Sequence, residues 1–238
     1  MTTSGSTAFS LTRDQIITAA VRKTGRLASG QSLSSQQLTD GMQALNGVIA
    51  LMQTKGMPLW ARNEYTFSTT LAAATYTIGV GQTLNTPYPV KIHQAFAIDT
   101  TASPNTGTEM EVLSIYDMSS TIIATSSSLP TQLAYQPKVD IGTITIWPIP
   151  DATAAANIDI KIIYSRPFEM FTAAGETLDV PREYHQPIIY NLAVILSPEY
   201  GVPLQDRAAL GKEAMMYQDA VDSFGMEEGS LFFTARRQ

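Results

Sequence analysis

The sequence predicts an α+β protein: a four-helix bundle formed by N- and C-terminal helix pairs, with an inserted antiparallel β-sandwich or barrel and an extended C-terminal tail. Three observations lead to this prediction. Apolar residues recur at helical spacing in the first and last quarters of the chain. Between them, apolar and polar residues alternate with period two. After Gly225 no amphipathic pattern remains. The predicted boundaries are 1–60 and 168–225 for the bundle, 61–167 for the β domain and 226–238 for the tail.

The composition limits the functional classes. The 238 residues suffice to bury a sizeable core, and only 15 % of them are charged. A sparsely charged surface is typical of a protein that covers itself with further copies. The net charge of −6 argues against sequence-specific DNA binding, which needs an excess of Lys and Arg. The absence of cysteine excludes disulfides, thiolate metal sites and cysteine nucleophiles.

The chain shows no targeting or membrane signal. Residues 1–10 form a Ser/Thr/Gly arm without the apolar core of a signal peptide. No stretch is apolar for long enough to span a bilayer. We therefore expect a soluble protein made in a cytoplasm, with no membrane partner and an N-terminal arm that is mobile until something docks on it.

Two capping boxes predict the N-terminal helices. Thr12 with Gln15 starts the first helix, and Ser34 with Gln37 starts the second. The second helix carries a narrow apolar stripe and ends before Pro58. The stripe consists of Leu38, Met42, Leu45, Ile49 and Met52. It predicts packing against another helix of the same domain, and a contact between subunits is the alternative.

Short alternating runs predict the strands of the β domain. They lie at residues 65–69, 75–78, 90–98, 110–115, 141–147 and 158–164. The segments 102–108 and 126–131 are predicted to be loops because turn-forming residues dominate them.

Helical spacing returns near the C-terminus. One helix is predicted from Tyr184 to Leu196 and another from Leu204 to Phe224. The last helix repeats the four–three spacing of the second, so these two are predicted to be partners. Beyond it, Leu231, Phe232 and Phe233 precede two arginines, Arg236 and Arg237, outside any amphipathic element. Such a segment is predicted to order on a partner, and folding back on its own subunit is the alternative.

No catalytic, cofactor or metal site is predicted. His93 and His185 lack a second ligand at metal-binding spacing and are predicted to be structural. The turn 79–82 lacks the Lys-Ser/Thr pair of a phosphate-binding loop. Glu109 and Glu111 share one strand face, about 7 Å apart, a separation that glycosidases use. Because they flank Met110 in an alternating run, they are predicted to face solvent.

Several local signatures resemble the head-to-tail adaptors of short-tailed bacteriophages, also called packaged-DNA stabilisation or tail accessory proteins. The order and spacing of these signatures cover the chain from about Asp14 to Tyr217. They are Ala44-Leu45-Asn46, Thr77-Ile78-Gly79, Trp147-Pro148-Ile149-Pro150-Asp151, Pro181-Arg182-Glu183-Tyr184, Tyr190-Asn191-Leu192-Ala193 and Pro198-Glu199-Tyr200-Gly201.

The resemblance implies a structural virion protein. Copies are expected to form a ring, usually a dodecamer, beneath the portal protein and to join the capsid to the tail. The helical part is expected to face the portal and contact neighbouring subunits. The β part is expected to face outward or toward the next tail component, a nozzle, hub or fibre-bearing protein. The lumen is expected to pass packaged double-stranded DNA. By position, Leu231, Phe232, Phe233, Arg236 and Arg237 are expected to contact the portal.

Two alternatives remain open at this point. One is a virion-associated peptidoglycan hydrolase, an activity reported for some relatives that does not map onto matched residues here. The other is a different ring of the same tail, such as a tail-tube or head-completion protein.

Overall fold

The computed structural model describes residues 9–28, 30–54, 61–121 and 126–224, and the chain divides into two compact units. One unit comprises Met1–Leu59 with Phe168–Gln238, and the other is Trp60–Pro167. The helices are α1 (Arg13–Lys23), α2 (Ser35–Thr54), α3 (Ile115–Thr121), α4 (Ala152–Asn157), α5 (His185–Leu196) and α6 (Leu204–Phe224). The strands are β1 (Arg62–Ser68), β2 (Thr75–Ile78), β3 (Lys91–Asp99), β4 (Thr106–Leu113), β5 (Ser127–Ser128), β6 (Gln132–Pro137), β7 (Gly142–Trp147), β8 (Ile149–Pro150) and β9 (Ile158–Ser165).

Both predicted capping boxes are present at the starts of α1 and α2. The Thr12 N–H donates to Gln15 Oε1 over 3.0 Å. The Ser34 N–H donates to Gln37 Oε1 over 2.9 Å, and the Gln37 N–H donates to Ser34 Oγ over 3.3 Å. These bonds satisfy backbone donors that the first helical turn leaves without partners, so the sequence alone fixes where each helix begins.

The predicted four-helix bundle is wrong, because the helical unit is organised around α5. Eight of the twelve residues of α5 are buried, and α1, α2 and α6 all pack against it. The matching stripes of α2 and α6 therefore meet a shared central helix instead of forming the predicted pair. The physical reason is that α5 contains no charged residue, and a helix that is apolar on most sides is buried on most sides.

Side-chain contacts tie α1 to the C-terminal helices. The Lys23 ammonium lies 4.9 Å from the centre of the Tyr190 ring, which stacks on Tyr217 at 4.7 Å between ring centroids. Arg26 Nη2 donates to the carbonyl of Gly201, in the turn between α5 and α6, over 2.8 Å. These contacts hold together helices that are far apart in sequence.

The segment between Phe168 and Val180 also belongs to the helical unit and packs on its N-terminal helices. The Asn46 side chain bonds both backbone groups of Phe171: its Nδ2 donates to the carbonyl over 3.0 Å, and its Oδ1 accepts from the N–H over 2.9 Å. The Arg13 N–H donates to the Glu176 carbonyl over 2.9 Å. The segment is thus bonded to both α1 and α2.

The Glu176 carboxylate closes this segment on itself. It accepts from the Ala173 N–H at 2.9 Å, the Thr172 hydroxyl at 2.7 Å and the Thr172 N–H at 2.6 Å. These hydrogen bonds, led by that from Ala173, lower the pKa of Glu176 to about 2 because they favour the charged form. A carboxylate with a depressed folded-state pKa stabilises the fold above its unfolded pKa, and this contribution is lost as pH falls through the folded value.

The variant Glu176→Gln is expected to remove part of the acid sensitivity of the helical unit. In the wild type this contribution disappears between about pH 4.5 and about pH 2, whereas an uncharged amide does not titrate there. Urea unfolding midpoints measured above and within this window test the expectation. Glu169→Gln, at an exposed position of the same segment, is the control. An unchanged acid sensitivity in Glu176→Gln would show that Glu176 does not contribute.

The predicted antiparallel sandwich or barrel is also wrong, because the β unit contains one mixed seven-stranded sheet. Its order is β1-β9-β3-β4-β6-β7-β2, and β5 with β8 forms a separate two-stranded sheet. β4 joins two antiparallel halves: residues 106–110 pair antiparallel with β3, and residues 111–113 pair parallel with β6. The parallel pairing is possible because α3 and β5 lie in the connection between these strands.

The alternating runs correctly predicted most of the long strands, but several other elements were not predicted. Thr106 to Thr108, predicted to be part of a loop, belong to β4, and the predicted loop 126–131 contains β5. β6, α3 and α4 were not predicted. The largest apolar core of the β unit is formed by the inward side chains of the sheet, including those of Ile144, Ile160, Ile162 and Tyr164. The alternate residues of the same strands make up the opposite face.

Candidate docking surfaces

The residues predicted to contact the portal, Leu231, Phe232, Phe233, Arg236 and Arg237, lie outside the described residues. The other residues singled out from the sequence are described. They fall on the outer face of the β unit, on the turn 79–82 and at the start of α5.

His93 occupies an irregularity in β3 that turns its side chain toward β9. The pairing of β3 with β9 shifts between Ile92 and Gln94, and His93 Nε2 lies 2.7 Å from the hydroxyl of the buried Ser165. Burial, together with the nearby cations of Arg62 and Lys91, lowers the pKa of His93. This hydrogen bond attaches His93 to the neighbouring strand, and its purely structural role stays a prediction.

Glu109 and Glu111 are exposed on either side of the buried Met110, as predicted. They line an open depression of about 480 Å³ together with His93 and Gln94. The sequence placed these side chains on separate elements, and the β3–β4 pairing brings them together. Both carboxyl groups face solvent on an open surface. The depression is a polar surface feature with one acidic side.

His185 is buried at the start of α5, and the Phe9 ring lies 5.6 Å from its ring centre. Burial lowers the pKa of His185, and the nearby Glu183 partly opposes this shift. Its Nδ1 has no hydrogen-bond partner among the described residues. Within those same residues, no group of His, Asp and Glu side chains is arranged to hold a metal ion, and no helix is long and apolar enough to cross a membrane.

The solvent-exposed part of α6 carries three large apolar side chains among the described residues. Leu204 is 73 % exposed, Met215 69 % and Met216 58 %. The helix buries its opposite side, including Ala214 and Val221, against α5. Met215 and Met216 are adjacent in the chain and both exposed, so we treat the surface around them as a candidate docking surface.

A groove of about 240 Å³ runs between α5 and α6 beside Met215. Its apolar part contains Val194 and Ala214, and its other end carries Asp219 and Asp222. The groove is open at Gly211, where a Cβ built on the backbone would meet nothing within 4 Å. This groove was not predicted from the sequence, although the apolar residues between Leu204 and Met216 that lie off the buried stripe were a visible signal.

Comparison with known protein families shows the family to which the chain belongs. A family model described as SU10 adaptor protein matches residues 11–237. The chain belongs to this family. No protein in the curated comparison matches it. The resemblance inferred from the short signatures is thus confirmed: the chain is a bacteriophage adaptor, a virion component that interacts with other structural proteins of the phage.

In the β unit of this adaptor, two adjacent turns carry the valines Val80 and Val139, which are 80 % and 88 % exposed. The turns touch: a Cβ built on Gly79 would lie 3.2 Å from the Asp140 carbonyl oxygen. Each turn is closed by its own backbone bond, from the Gln82 N–H to the Gly79 carbonyl and from the Lys138 N–H to the Ile141 carbonyl. Turn tips are normally polar, so a fixed apolar tip is a second candidate docking surface.

Proposed function

We propose that this adaptor forms a ring beneath the portal, joins the capsid to a short tail and surrounds the channel through which DNA passes. The observation that carries the proposal is the exposed apolar face of α6, which a free subunit leaves in water. Membership of an adaptor family supports the joining role. The ring, which we propose to be a dodecamer as the family resemblance implies, would close through head-to-tail contacts between copies.

The two units take different partners in this proposal. The helical unit faces the portal and the neighbouring copies, and the β unit faces the next tail component, a nozzle, hub or fibre-bearing protein. The apolar tip at Val80 and Val139 is suited to the second contact because its turns are held by backbone bonds. The net charge of −6 fits a lumen that retains DNA without gripping its phosphates.

The C-terminal segment is proposed to supply part of the portal contact. Leu231, Phe232 and Phe233 offer apolar area, and Arg236 and Arg237 offer charge, the combination that often forms the centre of an interface. Assembly takes place in the host cytoplasm on the portal, whose existing ring acts as a template. The cost of ordering the segment is offset by the surface that it buries there.

Removal of all residues after Gly229 is expected to abolish stable binding to the portal while leaving the subunit folded. Co-sedimentation of the truncated chain with assembled portal rings, with circular dichroism as the folding control, measures this. Negative-stain images of the full chain with portal rings test the ring itself. Undiminished binding of the truncated chain would refute the role of the C-terminal segment. If the images show no additional ring on the portal, the proposal that the adaptor forms a ring there is refuted.

We also propose that the adaptor is not an enzyme. The exposed carboxylates of Glu109 and Glu111 support this, because they lie on an open surface. Lysis of purified peptidoglycan by the full chain, abolished in Glu109→Gln or Glu111→Gln, would overturn this proposal.

A further inference from the structure

We propose that the groove between α5 and α6 binds the C-terminal segment of a second copy of this chain, with the aromatic residues in its apolar part and the arginines at its acidic end. This inference rests on the proposed assembly of copies and identifies the surface that one copy offers to the next. The proposed occupant of the groove is the segment of residues 231–237.

The apolar part of the groove suits a side chain of aromatic size. Its volume of about 240 Å³ is smaller than the sites that enclose drug-sized ligands, which start at about 300 Å³. Val194 and Ala214 form its apolar floor with the exposed Met215 at the rim, and the space beside Gly211 is open. The run Leu231-Phe232-Phe233 is the most apolar segment after Gly225.

The acidic end of the groove carries two carboxylates on successive turns of α6. Asp222 accepts from Gln218 Nε2 over 2.8 Å, and Gln218 Oε1 in turn lies 3.3 Å from Asn191 Nδ2 on α5. Neither Asp222 nor Asp219 forms a salt bridge with a residue that the structure describes. Two carboxylates fixed beside an apolar groove complement the charges of Arg236 and Arg237.

The spacing of the two parts sets the direction of the bound segment. Along α6, the midpoint of Gly211 and Met215 lies about 11 Å from the midpoint of Asp219 and Asp222. In an extended chain, Phe232 and the two arginines lie about 13–17 Å apart. A segment bound parallel to α6 therefore places its aromatic residues in the apolar part of the groove and its arginines beside the aspartates. The reverse direction would place the acidic residues 227–228 beside the aspartates, which like charges disfavour.

The direction identifies a second copy as the donor. The subunit's own segment leaves α6 at Phe224, about 14 Å beyond the level of Met215 and about 20 Å beyond that of Gly211. It would have to travel back over this distance and reverse direction twice within six residues, whose full extension is only about 20 Å. A segment from another copy enters without this restriction. Donation from one copy to the groove of the next is a head-to-tail contact between copies that have not yet docked on the portal.

The same residues are proposed to contact the portal. Each segment therefore binds either the groove of a second copy or the portal, but not both at once. The groove of a second copy covers the apolar run before docking, and the portal takes it afterwards. This sequence of contacts allows the groove and the portal contact to be tested separately.

The test uses a fluorescently labelled peptide of residues 226–238. It is titrated into a full-length chain in which Leu231, Phe232 and Phe233 are each replaced by alanine, so that the groove is free of competing segments. We expect saturable binding by fluorescence anisotropy. Met215→Glu in this background is expected to weaken binding by about tenfold or more, because it places a charge at the groove rim. Met216→Glu is expected to leave binding unchanged, because Met216 is similarly exposed but does not line the groove.

The charges provide a second arm of the test. Replacement of Asp219 and Asp222 by lysine is expected to weaken binding of the peptide to the groove. A second peptide, with Asp in place of Arg236 and Arg237, is expected to restore binding to that variant. Absence of peptide binding, or equal binding to the Met215→Glu and Met216→Glu variants, would overturn the groove proposal. Portal co-sedimentation of the full chain is scored independently, so failure of the groove is distinguishable from failure of the adaptor function.

Discussion

Replacing Gly41 with alanine is expected to destabilise the helical unit by up to about 2 kcal/mol, although alanine is the better helix former. Gly41 lies where α2 approaches α1, and a Cβ at this position would lie 2.5 Å from Cγ2 of Ile17. Ile17 is fully buried, and its branched side chain cannot yield without displacing its neighbours. Overpacking of this kind costs about 1–3 kcal/mol. The higher helical propensity of alanine offsets about 1 kcal/mol of this destabilisation.

Gly47 is a matched control for Gly41 within the same helix. A Cβ at Gly47 would meet nothing within 4 Å, so Gly47→Ala is expected to stabilise the unit by up to about 1 kcal/mol. Urea unfolding followed by circular dichroism measures both variants. Ile17→Leu, which lacks the obstructing Cγ2 atom, is expected to relieve part of the Gly41→Ala loss in the double variant. If both glycine variants were stabilising, α1 and α2 would not be packed as closely as the structure has them.

The parts of the fold that the sequence predicted correctly depend on local chemistry. A capping box needs only residues three apart, so Thr12 with Gln15 and Ser34 with Gln37 are readable without tertiary information. The end of α5 and both ends of α6 were also predicted correctly, and proline or glycine stands close beyond each of these helices. Alternation likewise located the long antiparallel strands.

The errors arose where an element depends on distant partners. β6 has a weak pattern of its own and pairs parallel with only three residues of β4. Local alternation does not contain this pairing, so the mixed sheet appeared to be an antiparallel sandwich. The central position of α5 did have a signal, since the run from His185 to Leu196 contains no charged residue. The similar spacing of α2 and α6 outweighed that signal, and it predicted the wrong partners.

The candidate surfaces show the same division between local and distant information. The solvent-facing positions of Glu109 and Glu111 follow from alternation around Met110. Their proximity to His93 depends on the β3–β4 register, and the groove beside Met215 depends on how α5 meets α6. A groove formed by two helices cannot be predicted until the packing of those helices is known.

Replacing Asn46 with alanine is expected to destabilise the helical unit by about 2–4 kcal/mol, the largest effect we expect from a single polar substitution. Asn46 supplies both a donor and an acceptor to the backbone of Phe171, whose side chain is buried. At neutral pH no other residue type of this size offers a donor and an acceptor side by side. Without Asn46, one backbone N–H and one carbonyl lose their partners, at about 1–2 kcal/mol for each group, the lower part of the usual range because both groups are only partly buried.

Asn46→Asp separates the two hydrogen bonds. A carboxylate still accepts from the Phe171 N–H but presents negative charge to the carbonyl oxygen, whereas the protonated acid donates to that oxygen. The folded state therefore favours the protonated form, which raises the pKa of the new carboxyl group, and the stability that this form contributes is lost as pH rises through that value. The stability of Asn46→Asp relative to Asn46→Ala is thus expected to be greater in acid than at neutral pH. Gln43→Ala, at an exposed position on α2, is expected to leave stability nearly unchanged. Equal losses for Asn46→Ala and Asn46→Asp at both pH values would mean that the donor to the Phe171 carbonyl contributes nothing, and the attachment of residues 168–180 to α2 would then rest on apolar packing.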